Sequence, residues 1–253
     1  MLTKRNPLPL WSQIIDLFLI EISNWRWAWR SMIVLSTIAP LVGMLALSTF
    51  ARDAGSQAMS YILTGNIVLA LMFGIMDKVQ SHFIYMRLMG TLDFFATLPI
   101  RKSALIIAVL GAFFLLSLPS ILITIFLGAW LLQIPLHFHP IILLVIPICT
   151  LPLAGIGALI GITARSFAEG GTISTLFSLI MLGLGPVIIP PDRLPRWLTQ
   201  IGRLSPATYA ASALRQALLG SLSSQIWIDL AILSGFGIIA FWLVERKMDW
   251  RQK

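Results

Sequence analysis

Charge is what this chain has least of. Asp, Glu, Lys and Arg make up 11% of its 253 residues, against about 25% in ordinary soluble domains. From Ser103 to Ala164 there is none. A solvated surface cannot be built from that supply, which excludes a soluble globular fold. Cysteine is scarcer still. Cys149 stands alone inside an apolar run, so neither an intrachain disulfide framework nor a Cys-based metal centre is available. A phosphate-cradling Gly-Lys-Ser/Thr is missing: the one Lys followed by a hydroxyl residue is Lys102-Ser103, preceded by Arg101. The chain therefore does not hydrolyse ATP through a P-loop. There is no Gly-x-Ser-x-Gly, and His82 has no nucleophile to serve, which argues against intramembrane hydrolysis. His137-x-His139 lacks a third metal ligand nearby and sits between Pro135 and Pro140, so it reads as a loop at the membrane interface.

What is abundant is apolar: 58% of the residues are hydrophobic and the mean hydropathy is +0.90. This is the composition of an all-α polytopic membrane protein. The length suits roughly six spans of about 20 residues, and leaves no room for a nucleotide-binding domain of about 150 residues or more. The formal charge of +8 is read as orienting the chain and meeting anionic headgroups rather than nucleic acid.

In chain order, Asp16 and Glu21 interrupt the first apolar stretch, which therefore does not read as a cleavable signal. Trp11, Ile14, Ile15, Phe18, Leu19, Ile22 and Trp25 recur with helical spacing, with Ser12, Gln13, Asp16 and Asn24 elsewhere. An interfacial helix over 8–30 is expected, anchored by the indoles and guanidiniums of Trp25 to Arg30. As a seventh span it would place two carboxylates in the bilayer at a few kcal/mol each. Uncharged or nearly uncharged runs predict spans at 31–50, 54–76, 103–134, 140–164, 171–190 and 226–244. Pro40 should kink the first. Gly157-x-x-x-Gly161 in the fourth should admit another helix at close range.

Six crossings place both termini on one side. That side would carry 13 of the 18 Lys and Arg, so it is expected to be cytoplasmic. The segment 77–102 is then cytoplasmic as well, and 191–225 external. In 77–102, Gly90 can end the helix from span two, Thr91 can N-cap a new one, Asp93 can sit in its first turn, and Pro99 ends it. In 191–225, proline breaks predict two short helices, Arg196 to Arg203 and Thr208 to Gly220.

Together, Gly90-Thr91-Leu92-Asp93-Phe94-Phe95-Ala96-Thr97-Leu98-Pro99 after span two, Leu194-Pro195-Arg196-Trp197-Leu198, Ser205-Pro206-Ala207-Thr208-Tyr209 and Leu214-Arg215 resemble the permease subunit of type-2 ABC exporters, in the drug, lipid and polysaccharide branch. The resemblance covers essentially the whole chain as one permease domain. It implies a protein that is not itself catalytic, in the plasma (inner) membrane of a prokaryote, paired with a second copy or a paralogous permease. ATP and Mg would be bound by a separate ABC ATPase subunit. Gly90, Thr91, Leu92, Asp93, Phe94, Phe95 and Pro99 would couple to that ATPase. Pro195, Trp197, Pro206, Tyr209 and Arg215 would form an external gate. Spans two and five would line the pathway, which makes Asn66, Phe73, Ser174, Thr175 and Ser178 candidate contacts. An apolar or amphiphilic substrate fits best, because no ionisable residue lies mid-span in the first five spans. The competing class is an ATP-independent carrier or a non-transporting scaffold. A carrier generally needs intramembrane carboxylates, and Asp229 alone lies near a span interior.

Overall fold

The computed structural model describes residues 9–25, 29–51, 55–220 and 222–248. Arg26 to Ala28 of the indole and guanidinium run, and the Arg52-Asp53 turn, lie outside them. Helix α1 is Leu10–Trp25 and α2 is Trp29–Phe50, followed by α3 (Gly55–Leu71) and α4 (Asp77–Leu88). Then come α5 (Thr91–Thr97), α6 (Lys102–Leu132), α7 (Ile142–Thr163) and α8 (Phe167–Gly183). The chain ends with α9 (Arg196–Gly202), α10 (Pro206–Leu219) and α11 (Gln225–Lys247). Among the described residues the only β-type pairing is an isolated bridge between His137 and Leu219.

Helices α3 and α4 are joined by a π turn, Met72–Met76, so that one helix runs over Gly55–Leu88. The helix thus runs on past Met76, the expected end of span two, to the break expected at Gly90. At 1.5 Å per residue the 34 residues measure about 50 Å, well beyond the ~30 Å hydrocarbon layer. Asp77 and Lys78 mark where the helix leaves apolar surroundings, and nothing in them stops helix propagation.

Among the described residues, five helices are long and apolar enough to cross a membrane, while Phe167–Gly183, at 17 residues, falls short. The expected span 171–190 is thus revised at both ends. It starts early because the Ser166 hydroxyl accepts from Glu169 N at 3.2 Å and the Glu169 carboxylate accepts from Arg165 N at 2.7 Å, a variant of the capping box. It stops early at Gly183. Gly185 takes a φ of 136°, open to glycine alone, and Pro186 has no N–H to give. The following residues press onto α3, where a Cβ on Gly65 would meet Val187 O at 2.9 Å.

The core forms where α7 crosses α4 and α11. A Cβ on Gly157 would fall under 3.0 Å from Met76 O, and one on Gly161 under 3.0 Å from Gln80 O. The Gly-x-x-x-Gly of α7 therefore lets its backbone lie on that of the π turn and α4. Cys149 is fully buried on the same helix. Helix α10 packs against α3, α7 and α11, with Ala207, Ala210, Ala211, Leu214 and Leu218 buried. Its free C-terminal carbonyls are met by the 135–140 loop, through His137 N to Leu218 O at 2.8 Å and His139 N to Ala217 O at 3.1 Å.

Helix α1 lies along α6 and turns a face of mixed polarity inward. Gln13, Leu17 and Glu21 are buried, whereas Trp11, Ile15 and Leu19 are exposed. Ile14, Phe18 and Trp25 also pack against the core, while Asp16, Ser23 and Asn24 are exposed.

Candidate functional site

The segment between α4 and α6 is a short helix set by its ends. Gly90 adopts φ 71° and ψ 10° as the N-cap of α5, and Leu98 is the extended C-cap ahead of Pro99. Gly90 rather than Thr91 is therefore the cap; Thr91 is the first helical residue. Asp93 is in the first turn, where the positive end of the helix dipole favours a carboxylate.

The side chains of α5 divide. Leu92 and Phe95 are buried against the chain, at 3% and 6% exposure, while Phe94 is 61% exposed. Burial of the first pair supplies about 1.5–3 kcal/mol each, enough to hold seven residues that would not stay helical alone. Phe94 is left with Leu88, Met89 and Leu98 as an exposed apolar patch, with Asp93 and Pro99 also exposed. The sequence reading that grouped Leu92, Phe94 and Phe95 on one contact surface is revised accordingly.

Three tethers fix this corner. Arg87 donates to Ile162 O at 2.7 Å and to Ala164 O, so one guanidinium satisfies the end of α7 from the last turn of α4. Arg101 N donates to the Gln13 side chain at 2.9 Å. Lys102 donates to Met248 O, binding the start of α6 to the end of α11. Glu21 of α1 meets His82 of α4, with 3.0 Å between Oε2 and Nε2 and the Trp25 indole edge-on to the imidazole. Sequence reasoning missed Glu21 and His82 as partners because they are 61 positions apart and each looks ordinary alone.

Elsewhere the expected groups separate. Pro195 caps α9 and Trp197 is exposed on it, whereas Pro206, Tyr209 and Arg215 belong to α10. Tyr209 Oη donates to Arg203 O at 2.8 Å and ties the two helices together. Arg215 donates to Thr64 Oγ1 at 3.2 Å and lies over the Tyr61 ring, 3.4 Å from its centroid. Burial pulls this guanidinium down to about 10, against the nearby Tyr61 and Asp229, so it stays charged at neutral pH. Asp229 accepts from Gln216 at 3.2 Å and from Gln225 at 3.0 Å.

Of the pathway candidates, Asn66 is buried and donates to Ile62 O at 2.8 Å, facing Gly43 of α2. Ser174 and Ser178 are buried, and Ser174 donates to Asp77. Thr175 is exposed, so these three candidates do not share one environment. Phe73 lines a cavity of about 290 Å³ with Leu35, Ser36 and Ala39 of α2 and with Asp77 and Lys78.

Long apolar helices, with no strand among the described residues, and a docked short helix between two of them define a multi-pass integral membrane domain. Residues 13–219 match the family model of the ABC-2 type transporter. The chain belongs to that family, whose members are membrane components of transporters and not themselves catalytic. No curated protein matches it at a significant level.

Proposed function

We infer that this chain forms half of the substrate pathway of an ATP-driven exporter. It works with a second copy or a paralogous permease, and a separate ABC ATPase that binds ATP and Mg docks on α5. Both termini and α5 face the cytoplasm of a prokaryotic cell across its plasma membrane, and 191–225 lies outside. The observation that carries the reading is α5 itself. A mere connector has no reason to be capped, anchored by Leu92 and Phe95, and still present Phe94 at 61% exposure. An exposed apolar patch on a fixed element at the end of a helix about 50 Å long is suited to receiving a partner and passing its movement to the bundle. An amphiphilic cargo is supported by the cavity at Phe73, whose lining combines Leu35 and Ala39 with Asp77 and Lys78. Asp229 does not favour an ion-coupled carrier, since its two oxygens are occupied by Gln216 and Gln225.

The test is co-expression with candidate ABC ATPase subunits from the same genome, followed by reconstitution and assay against a chemically broad panel of amphiphiles. A stable complex with ATP-dependent transport is expected. Transport by the permease alone, or failure to form a complex with the ATPase, would overturn the reading.

A further inference from the structure

We propose that the cavity beside the π turn binds the anionic headgroup, phosphate or carboxylate, of an amphiphile, with the Lys78 ammonium as its ligand. The headgroup belongs to the exporter's cargo or to a lipid of the surrounding leaflet. Binding is a property of the permease alone; only the step from bound amphiphile to cargo rests on the exporter reading.

The backbone makes the site. Asp77 N donates to Met72 O, a bond between residues five apart, which is the π pattern and is found disproportionately at functional sites. At 3.6 residues per turn, positions five apart in an α-helix lie about 140° from one another. In the wider π turn they come nearly into line, so that Lys78 joins Phe73 and Asp77 on one wall of the cavity, with Leu35, Ser36 and Ala39 of α2 on another.

Of the polar groups in this lining, Lys78 alone has donors to spare. Ser36 donates to Met32 O at 2.6 Å and Ser81 to Gln80 Oε1 at 3.4 Å. Asp77 accepts from Ser174. The Lys78 ammonium makes no hydrogen bond or ion pair among the described residues, and the charge beside it is that of Asp77. Arg87 and Lys102, at the same end of the bundle, show the alternative. Both are spent on carbonyl groups. An ionisable side chain left unpaired and half-buried at the end of a membrane span marks a ligand or pathway position.

The class of ligand follows from what the lining offers. Free ammonium protons take a phosphate or carboxylate as a charge-assisted bond. A cationic headgroup would meet the same ammonium, and the Asp77 carboxylate that could offset it already accepts from Ser174. Leu35, Ala39 and Phe73 supply apolar contact. Leu35 is 65% exposed and Ala39 is exposed as well, so an alkyl chain can leave the cavity along α2. The volume, about 290 Å³, sits at the lower edge of small-ligand sites, roughly 300–1,000 Å³. It suits a headgroup and its first methylenes, with the rest of the tail outside. The depth also fits, because Lys78 lies where the long helix leaves apolar surroundings, at headgroup level.

The experiment uses the purified full chain in nanodiscs of phosphatidylcholine, with dodecyl phosphate or dodecyltrimethylammonium added. Melting temperature is read as the increment over each variant's own baseline. Dodecyl phosphate should raise Tm by roughly 5 °C near saturation. Lys78→Gln should abolish the increment and Lys78→Arg should keep it, while the cationic amphiphile should give no change that depends on Lys78. Phosphatidylglycerol built into the discs is the lipid arm. A Lys78-dependent increment from it, with no further gain from dodecyl phosphate, assigns the site to a lipid of the leaflet. No increment from either anion, an increment retained in Lys78→Gln, or an equal one from the cation overturns the proposal. If Lys78→Gln does not fold, Ala39→Phe replaces it, filling the cavity from an exposed position; unchanged binding of dodecyl phosphate then overturns the site. Since no ATPase is present, these failures leave the exporter reading standing, and failure of that reading leaves the binding result intact.

Discussion

Phe94 and Phe95 have ring centroids 5.9 Å apart, and yet the first is 61% exposed and the second 6%. Adjacent helical positions point about 100° apart, so one ring anchors α5 while the other is left for a partner. Phe95→Ser should lower the stability of the purified permease by about 3–5 kcal/mol, the usual cost of truncating a buried aromatic. Phe94→Ser should leave it within about 0.5 kcal/mol. ATPase co-purification should respond in the opposite order to melting temperature, with Phe94→Ser losing the partner while remaining folded. A folded Phe94→Ser that retains substrate-stimulated ATP hydrolysis at the wild-type level would remove α5 as the coupling element.

Arg87 joins the last turn of α4 to the last turn of α7 through two carbonyls. Charge-assisted hydrogen bonds of this kind contribute about 1.5–3 kcal/mol each, and a lysine ammonium cannot reproduce the fork. Arg87→Ala should therefore lower Tm in detergent more than Arg87→Lys does, and both more than substitution of the exposed Arg101. Equal effects for Arg87→Ala and Arg87→Lys would show that charge alone, rather than the two-carbonyl bridge, holds the helix ends.

How much of this could be read beforehand depends on where each signal resides. Gly90 and Pro99 punctuate the chain through their own backbones, so α5 was legible from sequence. The facing of its side chains was not, because a helix of two turns takes its orientation from what it docks on. Gly157 and Gly161 declared a close approach by spacing alone. For α1 the periodicity located the helix, while the burial of Gln13, Leu17 and Glu21 depends on the contact with α6. Ser166 and Glu169 held a capping signal that places the start of α8 four residues early, hidden by the habit of starting a span where charge ends. The Glu21 and His82 pair was invisible, since two lone polar residues far apart announce nothing until the fold joins them.

The approach of α7 to the π turn separates two glycines that look alike in sequence. A Cβ on Gly157 would meet the Met76 carbonyl inside 3.0 Å, whereas one on Gly171 of α8 meets nothing within 4 Å. Gly171→Ala should be neutral or stabilising by up to about 1 kcal/mol, the helix propensity gained over glycine. Gly157→Ala must push two backbones apart and should cost several times that. Thermal melting of the two variants side by side checks the packing, and a Gly157→Ala protein as stable as Gly171→Ala would contradict it.

The proposed orientation can be tested with the natural cysteine in place, because Cys149 is fully buried and out of reach of a labelling reagent. Asp93 and Arg196 are both exposed, one on α5 and one on α9. A cysteine at position 196 should react with a membrane-impermeant maleimide in intact cells. One at position 93 should react only after lysis, since it shares the side that holds most of the basic residues. The reverse pattern would place α5 outside, beyond the reach of any cytoplasmic ATPase, and would sink both the topology and the coupling role together. Labelling of neither position after lysis would instead show that these residues are covered by other protein, and repeating the reaction on the purified permease in detergent distinguishes a partner from the fold itself.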